Sequence, residues 1–191
     1  MLTAEDLVNN YKIIRSSRKT VGMEIRGEQL IVRAPLHMSA ANIERFVQSE
    51  RSWIERRLVK IAERKEIVSN ARILSQTELK ELAEKACLVI PERAAFYASK
   101  MGVSYNRITI RCQKTRWGSC SSTKNLNFNC LLMLTPPEVI DSVVVHELCH
   151  LKEMNHSQRF YAEIYKIFPE YDKYNKWLKE NGAAIMARVQ R

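Results

Sequence analysis

Four residues in one short run carry most of the chemistry open to this chain: His146, Glu147, His150 and His156. The chain has only four histidines in 191 residues, and three of them are here. Residues four apart in a helix lie about 40° from one another and one turn along, so His146 and His150 leave the same face. Two neutral imidazoles at that spacing suit a divalent metal, zinc above all, at about 2.0–2.1 Å. Three protein ligands with a position left for water is the catalytic arrangement of zinc, whereas four protein ligands close a structural site. Glu147 projects near the same face without being needed as a ligand. It is the candidate general base for a water whose pKa such a metal brings down to about 7.

The third ligand has two candidates. His156, six residues beyond His150, is the favoured one, and Glu170, twenty beyond, is its rival. Glu153 reads as a solvated carboxylate close to the site. Asn155 tolerates left-handed geometry and is the expected place for the helix to break, and Ser157 reads as the N-cap of the next helix. Cys149 lies about 100° from His150 on the helical wheel and reads as core, as do Cys112, Cys120 and Cys130 in or beside strands. The chain holds five cysteines. The odd count and the absence of a CxxC pair argue against a disulfide framework.

The elements that must position these residues can be traced outward. In Thr135-Pro136-Pro137-Glu138, Thr135 is the expected N-cap, Pro136 the first helical residue and Glu138 the capping-box partner. Val139, Ile140, Val143, Val144, Val145 and Leu148 make the helix apolar nearly all round, hence buried. Two histidines and a glutamate at the end of a buried helix need a metal or hydrogen-bond partners; ordinary hydrogen-bonded histidines are the plainer alternative.

Upstream, strands are expected at 106–112, 115–120 and 126–129, with a turn at 121–125. Gly118 inside Trp117-Gly118-Ser119 is unusual, because glycine weakens strands and often marks close backbone approach. An extended substrate on an edge strand would use it; a bulge that packs Trp117 into the core is the equal alternative. Arg116 could bind a carboxylate or phosphate, or form a structural ion pair. Tyr161 could donate to an oxyanion, with core packing the plainer reading. Arg116, Trp117, Gly118, Ser119 and Tyr161 are therefore the candidate substrate-binding residues.

The N-terminal third predicts a small β-meander of strands at 11–16, 20–26 and 29–33, with Gly27-Glu28 as a turn. His37 stands alone and reads as a surface residue. Ser39 caps a predicted long helix to Ile67 with the apolar stripe Ile43, Phe46, Val47, Trp53, Ile54, Leu58 and Ile61. After a connection at 68–74, Ser75 and Glu78 form a capping box for a helix to Met101 that Gly102 stops. Further helices are expected at 157–168 and 171–180, the last ended by Asn181-Gly182. The fold class is α+β. The expected division is 1–67 and 75–191, with one continuous domain as the alternative.

Hydrophobic residues make up 46% of the chain, a globular composition. No run approaches the roughly 18 apolar residues of a membrane span, and Met1 to Asn10 lacks a signal-peptide core, so a cytoplasmic location is expected. The net charge is +10. Basic residues gather at Arg15, Arg18, Lys19 and Arg26 and again at Arg51, Arg56, Arg57, Lys60, Arg64 and Lys65. Such a surface favours nucleic acid or other anions, although interspersed acids make a solvated helix face the preferred reading.

Thr115-Arg116-Trp117-Gly118-Ser119-Cys120, the run from Leu131 to Asp141, Val144-Val145-His146-Glu147-Leu148-Cys149-His150-Leu151 and Asn155-His156-Ser157 together resemble the YgjP-like metallopeptidase family, a relative of the SprT-like and WLM zincins. The likeness is strongest over about residues 105–180 and extends to the pattern from Tyr11 to Trp53. It implies a zincin-like catalytic domain with a buried HExxH helix against a small mixed or antiparallel sheet. It also implies zinc held by His146, His150 and His156, Glu147 as catalytic base, and a peptide or protein substrate. The offset of His156 is that of the metzincins, but Glu153 stands where those enzymes have glycine, and their Met-turn is missing. Zinc-dependent peptide hydrolysis is the expected function. The alternatives are a metal-dependent nucleotide or phosphate hydrolase, without a P-loop or acidic cluster to support it, and a DNA-associated SprT-like protease or nucleic-acid-binding protein.

Overall fold

Side-chain caps mark most helix starts in the computed structural model, which describes residues 2–189. The chain divides into two compact units, Met1–Glu66 and Ile67–Arg191; residue 1 and residues 190–191, at the outer ends of the expected division, lie outside the described residues.

The first unit holds α1 (Ala4–Asn9), β1 (Tyr11–Ser16), β2 (Gly22–Arg26), β3 (Gln29–Pro35), α2 (Ala40–Ser49) and most of α3 (Arg51–Ser69). Helix α1 was not among the expected elements, although Thr3 and Asp6 close a capping box at its start. The three strands lie close to where they were expected, but they are not a meander. Their order is β1-β3-β2, with β1 parallel to β3. The reason lies in composition: Leu30, Ile31, Val32 and Ala34 of β3 are all buried, and a nearly continuous apolar strand belongs in the middle of a sheet. The hairpin from β2 to β3 through Gly27 (φ 60°) is as expected. Ser39 caps α2 by accepting from the Asn42 amide. The single long helix predicted after Ser39 is broken at Glu50 (φ −98°, ψ 13°). The stripe still packs: Ile43, Val47 and Ile54 join Leu30, Val32 and Ala34 in one core, with Phe46, Trp53 and Leu58 against it. His37 is exposed.

The second unit holds α4 (Gln76–Met101), β4 (Arg107–Arg111), β5 (Gly118–Cys120), β6 (Asn125–Asn129), a 3-10 helix (Cys130–Leu134), α5 (Pro137–Cys149), α6 (Gln158–Ile167) and α7 (Tyr171–Ala187). The Ser75–Glu78 capping box forms, and Gly102 ends α4 in the left-handed conformation (φ 63°). The sheet has the order β4-β6-β5, with β4 parallel and β5 antiparallel to β6. Strand β5 is thus an edge strand, and it is shorter than predicted: Thr115 to Trp117 precede it. The fold is therefore α+β, with the buried helix α5 packed beside this small mixed sheet. Arg93 of α4 pairs with Asp141 of α5.

The start of α5 and the end of α7 differ from expectation. Thr135 does not cap α5; its hydroxyl donates to the Leu132 carbonyl at 2.8 Å and closes the 3-10 helix, leaving Pro136 as N-cap without a side-chain bond. Helix α7 runs through Asn181-Gly182 to Ala187. Gly182 is buried there because Trp117 lies on it: a Cβ at 182 would be 3.0 Å from Trp117 Cζ2. A glycine kept for packing resembles a helix stop when only the sequence is read. Among the described residues no helix is long and apolar enough to cross a membrane.

Candidate metal centre

Helix α5 buries Val139, Val143, Val144, Val145, Leu148 and Cys149 and delivers His146 and Glu147 in its last turn. His150 is its C-cap, at φ −63° and ψ −17°. The helix therefore ends at the second histidine and not at Asn155. Amides 151 to 153 fold back onto the Leu148 and Cys149 carbonyls, which turns the chain at once. His156 returns just before Ser157, whose hydroxyl accepts from the Phe160 amide and starts α6.

This path gathers three imidazoles whose ligand atoms all lie within 4.8 Å of one another. His146 Nε2 and His156 Nε2 are 3.1 Å apart. Two nitrogens on a tetrahedral zinc at about 2.05 Å would stand roughly 3.3 Å apart, so the spacing fits a shared cation. The opposite ring nitrogens are already engaged. His150 Nδ1–H donates to the Glu153 carbonyl at 3.2 Å, which can only accept, so its Nε2 keeps a free lone pair. His146 Nδ1 meets the Tyr171 hydroxyl at 2.8 Å; with Nδ1–H donating to that oxygen, Nε2 of His146 is free as well. Such outer partners orient metal-binding histidines and select their tautomer. Burial, then the neighbouring His150 and His156, push His146 down to about 4, and burial also lowers His150. Both therefore favour the neutral, metal-binding form near neutral pH.

Phe160 of α6 is fully buried and underlies the cluster. Its ring centroid lies 5.0 Å from His146, 4.6 Å from His150 and 4.8 Å from His156.

Glu147 is 6% exposed, and burial pushes its carboxyl up to about 8. The start of β5 lies directly against it. A Cβ at position 118 would sit 2.6 Å from Glu147 Oε1 and 2.9 Å from Cδ, so only glycine leaves this carboxylate where it is. Gly118 permits a close approach, but of the Glu147 side chain, and Trp117 packs against the core. Asn129, almost fully buried, pins the preceding loop by donating from Nδ2 to the Gln113 and Arg116 carbonyls at 2.6 and 2.8 Å.

The remaining candidates fall unevenly. Arg116 is exposed and lines a cavity beside Glu147. The Ser119 hydroxyl accepts from the Asn127 side chain at 3.2 Å. The Tyr161 ring lies 6.5 Å from that of His156 and is partly buried against the core. Glu170 does not join the cluster; it precedes α7 and pairs with Lys173 at 3.0 Å. Glu153 contributes its carbonyl rather than its carboxylate. Tyr171, Phe160 and Asn129 were not given a role at the site from sequence, and Gly182 was read only as a helix stop, because no local pattern marks a tyrosine 25 residues from the histidine it contacts.

Removing only the Tyr171 hydroxyl isolates its part. Tyr171→Phe is expected to weaken metal binding by about 10–100-fold with helix content unchanged, read by competition with a chromophoric chelator. Wild-type affinity in that variant would show that the hydroxyl does not orient His146.

Three imidazoles facing one point, beside a buried carboxylate and an edge strand, have the chemistry of a metal-dependent hydrolase. The chain belongs to the YgjP-like metallopeptidase family, whose metallopeptidase-domain model matches residues 19–85 and 75–181. Two solved structures are similar over part of the chain. The metallopeptidase zymogen abylysin of Pyrococcus abyssi is 20% identical, covering 48% of this chain and 94% of its own at a TM-score of 0.44. The metallopeptidase zymogen jannalysin of Methanocaldococcus jannaschii is 23% identical, covering 48% and 95% at a TM-score of 0.44. No curated protein matches the chain.

Proposed function

We propose that the protein is a zinc-dependent peptidase in which His146, His150 and His156 hold the metal and Glu147 is the general base. The observation that carries this reading is the convergence of the three imidazoles, with the far nitrogens of His146 and His150 already hydrogen-bonded. A zinc ion held there would supply an acidified water and a Lewis acid for the scissile carbonyl. Glu147, adjacent in sequence to the first ligand and shielded from bulk solvent, accepts the water's proton and returns it to the leaving amine. A dication nearby favours its ionised form, offsetting the burial that otherwise raises its pKa. Gly118 keeps the backbone close to that carboxylate. The outer edge of β5 offers main-chain partners to an extended peptide, and Arg116, Trp117, Gly118, Ser119 and Tyr161 are the residues we assign to substrate contact. The five free cysteines suit a reducing compartment, and we assign the protein to the cytoplasm.

The test is direct. Protein with one bound zinc per chain is incubated with a mixed peptide library, and products are read by mass spectrometry. Cleavage is expected, to be lost on chelation and restored by added zinc. An intact library after incubation with zinc-loaded protein would overturn the proposal.

A further inference from the structure

Cys112 and Cys130 lie at matching ends of two paired strands. Strands β4 and β6 run parallel with Arg111 opposite Asn129, and each cysteine is the next residue along its chain. Side chains alternate along a strand, so Cys112 continues the row of Ile108 and Ile110, and Cys130 the row of Leu126 and Phe128, rows that meet in one core. Paired strands run about 4.8 Å apart, inside the roughly 4.4–6.8 Å between Cα atoms that a disulfide spans. The Cys130 thiol lies within hydrogen-bonding reach of Cys112. Both thiols are free; Cys112 is exposed and Cys130 fully buried.

We propose that Cys112 and Cys130 are a reversible dithiol–disulfide site, closed by exchange with a small-molecule disulfide, and that closing it slows the chemistry at Glu147. The Cys112 thiolate attacks one sulfur of the oxidant and releases the other half as a thiol, leaving a mixed disulfide. Cys130 then attacks the Cys112 sulfur and releases the second half. Two protein thiols are oxidised, one disulfide is reduced to two thiols, and the two protons pass to the thiols released. The order follows from access. Burial, then Cys112 itself, pushes the Cys130 thiol up to about 12, so the exposed partner meets the oxidant and the buried one closes the bond. In a compartment that keeps thiols reduced, such bonds are transient and redox-sensing.

Asn129 couples the pair to the site. Its backbone N–H donates to the Trp117 carbonyl at 2.9 Å, and its side chain to the Gln113 and Arg116 carbonyls. Residues 113–117, which begin just after Cys112, are thus held at three points by the residue just before Cys130. A disulfide draws the sulfurs to about 2.05 Å and pulls on both sides of this hold. The loop ends at Gly118, where there is no slack: a Cβ there would meet Glu147 Oε1 at 2.6 Å. A displacement of about 1 Å at a reacting centre is able to cost about 100-fold in rate.

The experiment treats reduced, zinc-loaded Cys87→Ser, which lacks the other exposed thiol, with oxidised glutathione. Intact mass and non-reducing peptide maps are then read. Loss of two hydrogen atoms and a peptide pair linked through Cys112 and Cys130 are expected. With Cys130→Ala added, the reaction should stop at glutathione on Cys112; with Cys112→Ser added, Cys130 should stay reduced. Glutathione left on Cys112 of the parent with no linked pair, or no reaction at all, overturns the site. The linked protein is expected to cleave peptides with kcat/KM lower by about tenfold or more, recovered by a phosphine reductant, with zinc still at one per chain. Unchanged cleavage by the linked protein overturns the coupling to Glu147. This last arm alone rests on the peptidase reading: a linked pair in a protein that cleaves nothing even when reduced overturns that reading and the coupling, and leaves the thiol site standing.

Discussion

Glu147→Gln is expected to lower the kcat for peptide cleavage by about 10²–10⁴-fold while binding zinc as wild type does. The amide keeps the shape of the side chain against Gly118 but cannot accept a proton. Full activity in this variant, with zinc content confirmed, would remove Glu147 from the mechanism. The same substitution has a second signature in the metal-free protein. The folded carboxyl titrates at about 8, raised from its ordinary 4.5 by burial. A folded pKa above the unfolded one means stability fully present below pH 4.5 and lost as pH rises through about 8. Glutamine does not titrate. Metal-free Glu147→Gln should therefore gain on metal-free wild type as pH rises from 5 to 9, by on the order of several kcal/mol. His146 acts in the opposite sense, its contribution present above its ordinary 6.5 and lost as pH falls through about 4, but it is common to both proteins and cancels in the comparison. Melting temperatures across that pH range decide the matter; parallel curves would show that the carboxylate is not buried as described.

The second large effect concerns the third ligand. His156→Ala is expected to weaken zinc binding by more than the roughly 10–100-fold that loss of a supporting hydrogen bond costs, and to abolish turnover. Glu170→Ala should leave both near wild type, because that carboxylate is exposed and paired with Lys173. A chelator-competition titration of the two variants separates the candidates. Retained zinc in His156→Ala with loss in Glu170→Ala would reverse the assignment made from the clustered imidazoles.

The legible features were those whose cause is local. Ser75 with Glu78, Ser157, and Gly102 could be read as helix ends because capping is a matter of a few neighbouring residues, and each acts in that role. Thr135 carried the same signal and did not cap α5, because the 3-10 helix before it took its hydroxyl. The break at Glu50 was hidden for a related reason: the apolar stripe continues across it, since both helices face one core. Strand order was not legible, because a meander and the observed β1-β3-β2 arrangement share the same strands and the same β2–β3 turn.

At the site itself, sequence alone determined the spacing of His146, Glu147 and His150, since the pitch of a helix is a property of the backbone and places the two imidazoles on one face wherever the helix packs. It also marked Gly118 as out of place in a strand. The tertiary structure decided what those residues meet. It returns His156 to within 3.1 Å of His146, sets Tyr171 behind His146 and Phe160 beneath all three rings, and lays Gly118 on Glu147 and Gly182 on Trp117. These contacts join segments distant in sequence, and their partners are chosen by how α5, α6, α7 and β5 pack round one core. A pattern of nearby residues cannot encode that choice, which depends on shape and burial across the whole unit.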